Sequence, residues 1–141
     1  MSDLLHEKLQ LQIVTPEARA FSVACDEVRA PGIGGGFGVR PGHTPFLTLL
    51  SAGALSYVAG GREQTYAIAG GFCEVAENRV TVLADFAEEA TAIDLAEAVR
   101  AHDAAVARMH ALQHADQAAF RREAAEVRKA AARVAAAHAR R

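Results

Sequence analysis

Near Thr91 the apolar residues change period, and this change sets what the chain can fold into. Before it, Leu9, Leu11 and Ile13 alternate with Gln10 and Gln12, the period-two pattern of a half-buried strand. After it, Leu95, Val99, Val106 and Met109 recur near the 3.6 spacing of a helix. One packing layer cannot satisfy both periods, so the chain divides into a β unit over 1–90 and a helical unit over 91–141. Charge divides at the same place. Residues 1–92 hold 6 Lys+Arg against 11 Asp+Glu, a net of −5, whereas residues 93–141 hold 9 against 6, a net of +3. Alanine fills 19 of those last 49 positions, a composition that favours helix and offers little side chain to bury.

Further strand-like runs occupy 20–23, 27–30, 46–50, 54–58, 64–68, 72–75 and 79–83. Turn signals at Ser51-Ala52-Gly53, Gly60-Gly61-Arg62 and Glu77-Asn78-Arg79 separate several of them. Short antiparallel strands at this spacing make a sandwich or a flattened barrel. The expected core is Ile13, Val28, Leu49, Leu55, Tyr57, Ile68, Val75, Val80 and Val82. Each contributes roughly 1.5–3 kcal/mol when fully buried, enough together for a self-standing unit.

The helical unit is expected as two helices. The first starts at Asp94 and ends near Leu112; Gln113-His114-Ala115-Asp116 interrupts, and Asp116 caps a second helix to about Ala137. Phe120, Val127 and Val134 form a narrow seven-residue stripe on the second. Helices so rich in alanine hold their own shape but anchor weakly, as an element that docks in more than one place must.

The run Gly34 to Thr48 carries five glycines and two prolines and is expected as a stiff, backbone-defined loop that holds His43 out between Pro41 and Pro45. For His43 the plainer alternative is a histidine that is solvated or bonded to nearby backbone. Several chemistries find no support. Gly32 to Gly38 is out of register with G-x-G-x-x-G, and no G-K-[ST] is present, so no phosphate loop is expected. His110 and His114 are four apart but have no carboxylate or thiol at fitting spacing, so two exposed histidines are expected and no metal. Glu88-Glu89 is expected as helix-start charge, not an acid–base pair. Cys25 and Cys73 are expected as buried free thiols, with a disulfide as the alternative. A net charge of −2 and the absence of interleaved aromatics on the basic second helix argue against nucleic acid. No apolar run approaches the ~20 residues of a membrane span, and neither a secretory signal nor an organelle transit peptide is visible.

Three segments occur in order: Pro41-Gly42-His43-Thr44-Pro45-Phe46-Leu47-Thr48, Gly70-Gly71-Phe72-Cys73-Glu74-Val75, and Arg79-Val80-Thr81-Val82-Leu83-Ala84-Asp85. With the helical unit that follows, the chain resembles the epsilon subunits of bacterial F-type ATP synthases over essentially its whole length. The resemblance implies an N-terminal ten-stranded β-sandwich followed by a C-terminal antiparallel two-helix hairpin. It implies a non-catalytic central-stalk subunit at the cytoplasmic face of the bacterial inner membrane, held there peripherally through the complex. The sandwich would bind the gamma subunit, and the loop with Gly36, Arg40, Gly42, His43 and Thr44 would face the ring of c subunits. Many relatives carry an acidic residue where Gly36 stands, which leaves Arg40, or shape, to make that contact here.

In relatives the hairpin either folds against the sandwich or extends along gamma into the alpha/beta head and blocks hydrolysis. Arg121, Arg122, Arg128, Lys129 and Arg133 give the second helix the positive surface such a contact with an acidic loop would use; an ordinary solvated face is the alternative. Some relatives bind ATP on the hairpin. Glu88, Ile93, Asp94 and Ala98 match that pattern, but its arginine is replaced by Glu97 and a second falls on Ala104, so tight ATP binding is not expected even with Arg100 and Arg108 nearby. No cofactor is implied. The contrasting function class is a β-sandwich adaptor that self-associates or binds a partner helix through Val127 and Val134.

Overall fold

A computed structural model describes residues 7–17, 20–112 and 116–140. The described residues form ten strands, β1 (Leu9–Val14), β2 (Ala20–Cys25), β3 (Glu27–Gly32), β4 (Gly35–Val39), β5 (Phe46–Leu49), β6 (Ala52–Ala59), β7 (Arg62–Ala69), β8 (Gly71–Ala76), β9 (Arg79–Ala84) and β10 (Ala87–Glu89). A 3₁₀ turn at Ala90–Ala92 leads to helices α1 (Leu95–Ala111) and α2 (Gln117–Ala139). The strands make two five-stranded sheets, ordered β2-β1-β9-β8-β5 and β10-β7-β6-β3-β4. Residues alternating along each strand meet between the sheets, where Leu9, Leu11, Val28, Val39, Leu55, Ile68, Val75, Val80 and Val82 are fully buried. The fold is the expected β-sandwich followed by two helices.

Four expectations need correction. The glycine-rich run is not all loop, because Gly35–Val39 pairs with β3 as an edge strand. Glycine weakens strands, but Val39 points into the core and Phe37 packs against it, and an edge needs only one partner. Glu88 and Glu89 do not start a helix: they lie in β10, paired with Ala67 and Tyr66 of β7. The strands are not all antiparallel, since β1 and β9 run parallel. Leu49 is not core. It is 57% exposed, because its register opposite Phe72 puts it on the outer face, and Leu50 turns inward instead through a bridge to Gly32.

Two backbone features hold the first sheet in shape. Glu77 and Asn78 both have positive φ, 51° and 60°, the two-residue connection that matches strand twist between β8 and β9. Gly71 has φ +116°, and a Cβ there would run into the Leu83 carbonyl and lie 2.9 Å from Ala84 Cα, so β8 can approach β9 only with glycine.

The helices form as the sequence indicates. Asp94 caps α1 by accepting from the Glu97 amide at 3.1 Å, and Asp116 caps α2 by accepting from the Ala119 amide at 2.9 Å. The connection at residues 113–115, with His114, lies outside the described residues. α2 lies across β6 and β7 on the outer face of the second sheet. Its Ala130, Ala132, Ala136 and Ala137 share a small apolar cluster with Ala67, Ala69, Ala90, Ile93 and Ala98, with Val134 packed at its margin. Methyl groups let helix and sheet approach closely, yet each adds only ~0.8 kcal/mol. Of the predicted stripe only Val134 joins this cluster: Val127 is half-buried and Phe120 is exposed.

Candidate functional site

The described structure presents three candidate regions, two on the sandwich and one where the hairpin is fastened to it. The first is a row of side chains across the outer face of the β2-β1-β9-β8-β5 sheet. Directly opposed residues share a face, and the register runs Leu49 to Phe72, Phe72 to Leu83, Leu83 to Val14, and Val14 to Ala20, so one line crosses all five strands. Leu49, Phe72 and Leu83 are exposed, as are Leu47 on the same face and Ile33, whose amide donates to the Leu49 carbonyl. An apolar row on a water-facing sheet is a candidate contact surface. The sequence analysis missed it, assigning Leu49 to the core and Phe72 and Leu83 only to strands.

The second region is the turn between β4 and β5. His43 donates its amide to the Arg40 carbonyl at 3.1 Å, closing a tight turn around Pro41 and Gly42, which has φ +86°. The His43 ring bonds through Nδ1 to the Thr44 carbonyl at 2.7 Å and stands edge-on to Phe46. The plainer expectation for this imidazole, a bond to nearby backbone, therefore describes Nδ1. From outside, the Gly42 amide donates to Asn78 Oδ1 at 2.7 Å. Arg40, Gly42, His43 and Thr44 are brought together on this turn. Gly36 is not, since it pairs with Pro31 inside β4, about 13 Å of extended strand from Arg40.

The third region is a charge cluster that fastens α2. The Arg133 guanidinium donates from Nε to Glu88 at 2.7 Å, and from Nη1 and Nη2 to the two carboxylate oxygens of Glu97 at 3.3 and 2.9 Å. One side chain thus ties α2 to both β10 and α1. Arg133 is only 14% exposed, Glu88 28% and Glu97 51%. The fork from Arg133 holds the Glu97 carboxyl below its ordinary range, and Glu97, then Glu88, raise the guanidinium further above its already high value. Nearby, Lys129 sits 4.8 Å over the Phe86 ring, and Arg140 donates to the Ala90 carbonyl and, at 2.7 Å, to that of Ile93.

Of the five basic residues predicted on α2, Lys129 and Arg133 are committed to these contacts. Arg121, Arg122 and Arg128 are exposed, with no ion-pair partner among the described residues. The residues matched to a nucleotide pattern have other partners: Glu88 holds Arg133, Asp94 caps α1, and Ile93 and Ala98 are buried under α2. Arg100 is exposed and Arg108 pairs with Glu123 at 3.0 Å. Cys25 and Cys73 are free and buried; burial pushes the Cys73 thiol up to about 11 and raises that of Cys25. Among the described residues no group of three or more His, Cys, Asp or Glu side chains could hold a metal ion, and no helix is long and apolar enough to cross a membrane.

The chain is thus a β-sandwich with an apolar outer row, continued by a helical hairpin folded on its other sheet. Residues 8–90 match the family model described as ATP synthase, Delta/Epsilon chain, beta-sandwich domain. The chain is 55% identical over 126 residues to the ATP synthase epsilon chain of Anaeromyxobacter sp. (strain K), covering 89% of this chain and 95% of that one. It is 50% identical over 131 residues to that of Myxococcus xanthus, covering 93% and 96%. Its fold resembles a chain in the cryo-EM structure of the Euglena gracilis mitochondrial ATP synthase, OSCP/F1/c-ring, with TM-score 0.70, 22% identity and coverage of 87% and 77%. It also resembles one in the central stalk/c-ring structure of the Tetrahymena thermophila mitochondrial ATP synthase, with TM-score 0.60, 15% identity and coverage of 91% and 97%. The chain belongs to the ATP synthase epsilon chain family and is a subunit of that complex.

Proposed function

We propose that the chain transmits rotation between the c-subunit ring and the gamma subunit, and that its helical hairpin brakes hydrolysis when it leaves the sandwich. It has no active site of its own in this account. The observation that carries the proposal is the apolar row of Leu49, Phe72 and Leu83, which offers gamma a flat surface on the sheet that α2 leaves uncovered. The turn with Arg40, Gly42, His43 and Thr44 would meet the polar loops of the c ring. The complex would hold the chain peripherally at the cytoplasmic face of the bacterial inner membrane.

The hairpin supplies a reversible element. Its contact with the second sheet is built mostly of alanine methyls, and the Arg133 cluster adds the directional part. Folded, α2 exposes Arg121, Arg122 and Arg128; extended into the alpha/beta head, it would present Lys129 and Arg133 as well. The same guanidinium would therefore serve both states, bound to Glu88 and Glu97 in one and to an acidic surface in the other. Glu97 already occupies Arg133, so the folded state needs no nucleotide to bridge it.

Calorimetric titration of the full chain into the gamma subunit from the same source tests the sandwich assignment. Wild type should bind one to one. Leu49→Asn with Phe72→Asn should weaken binding about 10- to 100-fold, since each apolar side chain is worth roughly 1.5–3 kcal/mol when fully covered and about half of each is still exposed in the free chain. The melting temperature should hardly move, because both side chains are solvent-facing. Unchanged affinity in the double variant would remove the apolar row from the interface.

A further inference from the structure

The turn that carries Arg40 to Thr44 has little to hold it. Pro41 and Pro45 have no amide hydrogen to donate, Gly42 has no side chain to pack, and among the described residues His43 hydrogen-bonds only to Arg40 and Thr44 and sets its ring against nearby Phe46. Among the described residues, one hydrogen bond reaches the turn from a distant segment, from the Gly42 amide to Asn78 Oδ1. Arg40 adds only an exposed ion contact to Glu27 at 3.7 Å.

Asn78 is built into three segments at once. Its backbone, at φ 60°, makes the connection from β8 to β9. Its carbonyl accepts from the Gln10 amide of β1 at 2.8 Å, and its Nδ2 donates to Glu7 at 3.3 Å. The side-chain amide can take only one orientation, because it faces an N–H on one side and a carboxylate on the other. No other residue type meets all these demands. Glycine would suit the backbone and lose Oδ1; aspartate would accept from Gly42 and repel Glu7; larger side chains seldom adopt positive φ.

We propose that Asn78 is the positioning residue of the ring-facing turn, joining it to the β8–β9 hairpin that carries Phe72 and Leu83. The proposal rests on the assignment of the turn to the c ring and of the apolar row to gamma. Load applied at His43 would enter the first sheet through the bond from Gly42 to Asn78, instead of flexing Gly42 about its own backbone. β8 and β9 would then carry it to the face that meets gamma.

The test uses the whole ATP synthase assembled with wild-type chain, Asn78→Gly or Asn78→Asp, in sealed vesicles, with ATP-driven proton uptake measured per ATP hydrolysed. Amide exchange at Gly42 is measured in parallel on the free full-length chains. Asn78→Gly should keep the melting temperature, exchange at Gly42 about tenfold faster, and lose at least half of the proton uptake per ATP. Asn78→Asp should keep Gly42 protected and restore most of the coupling. Unchanged Gly42 exchange in Asn78→Gly would overturn the proposal, as would faster exchange with coupling intact. Arg40→Ala with His43→Ala, in the same vesicles, separates the two assignments. If that variant uncouples and Asn78→Gly does not, the positioning role alone fails. If neither uncouples, the turn does not serve the ring, and the proposal falls with it.

Discussion

Removing Arg133 should release the hairpin while leaving the sandwich intact. Among the described residues its guanidinium is the one group that bonds both β10 and α1 from α2, with Glu88 at 2.7 Å and Glu97 at 2.9 Å. A hydrogen bond to a charged group contributes about 1.5–3 kcal/mol. The half-solvated fork to Glu97 deserves little of that, so the bond to the more buried Glu88 sets the scale. Arg133→Ala should then cost the folded hairpin about 2 kcal/mol, an opening about thirty-fold more frequent. Hydrogen exchange followed by mass spectrometry on the full chain reads this directly. Peptides from 128–139 and 95–99 should exchange about thirty-fold faster in Arg133→Ala, while peptides from β1 and β9 keep their wild-type rates. Arg133→Lys should fall between, since an ammonium cannot reproduce the fork. In 1 M salt the gap between wild type and Arg133→Ala should narrow. Equal rates in the hairpin would refute the reasoning, and so would a rise of the same size across the whole sandwich.

Three further outcomes follow from the same geometry. Gly71→Ala should cost more than 3 kcal/mol and lower the melting temperature by over 10 °C, since the added methyl meets the Leu83 carbonyl in a backbone conformation of φ +116°; a melt like that of wild type would contradict it. The Cys73 thiol, raised by burial from 9.0 to about 11, keeps its full contribution below pH 9 and loses it as pH rises to 11. Urea midpoints should therefore fall across that window, less steeply in Cys73→Val, and parallel slopes would count against this account. Glu97, held low by Arg133, gives the opposite sign: its small contribution to hairpin docking is present above the ordinary value of 4.5 and is lost as pH falls through the lowered one, a slight acid release. Energy transfer between dyes on β7 and α2 should show that acid release in wild type and a flatter profile in Glu97→Gln; superimposable profiles would exclude Glu97 as the titrating group.

Much of the fold was legible because period-two alternation survives in most strands, and because Asp94 and Asp116 begin helices where the apolar period changes. What escaped was set by pairing at a distance. β4 is glycine-rich and β10 is three residues long, so neither carries a pattern of its own; each exists because β3 or β7 supplies a partner. Leu49 and Leu50 are equivalent in the sequence, and only the register with Phe72 decides which one faces water. The residues Arg40 to Thr44 were legible as a turn between two prolines, but Glu77-Asn78-Arg79 was legible only as a turn, because Gly42, its partner, lies 36 positions away. Likewise Glu97 stood out as a departure from a nucleotide pattern, while its bond to Arg133, 36 residues on, needed the hairpin to be folded before it could be seen.

ATP hydrolysis by the matching catalytic complex depleted of this subunit, titrated with the full chain, tests the central claim most directly. The account predicts inhibition that saturates at one chain per complex and is lost in a Leu49→Asn, Phe72→Asn variant that cannot hold gamma. Hydrolysis that stays constant through saturating, one-to-one binding of the full chain would contradict the hairpin brake, and failure to bind gamma would contradict the docking surface on which it depends.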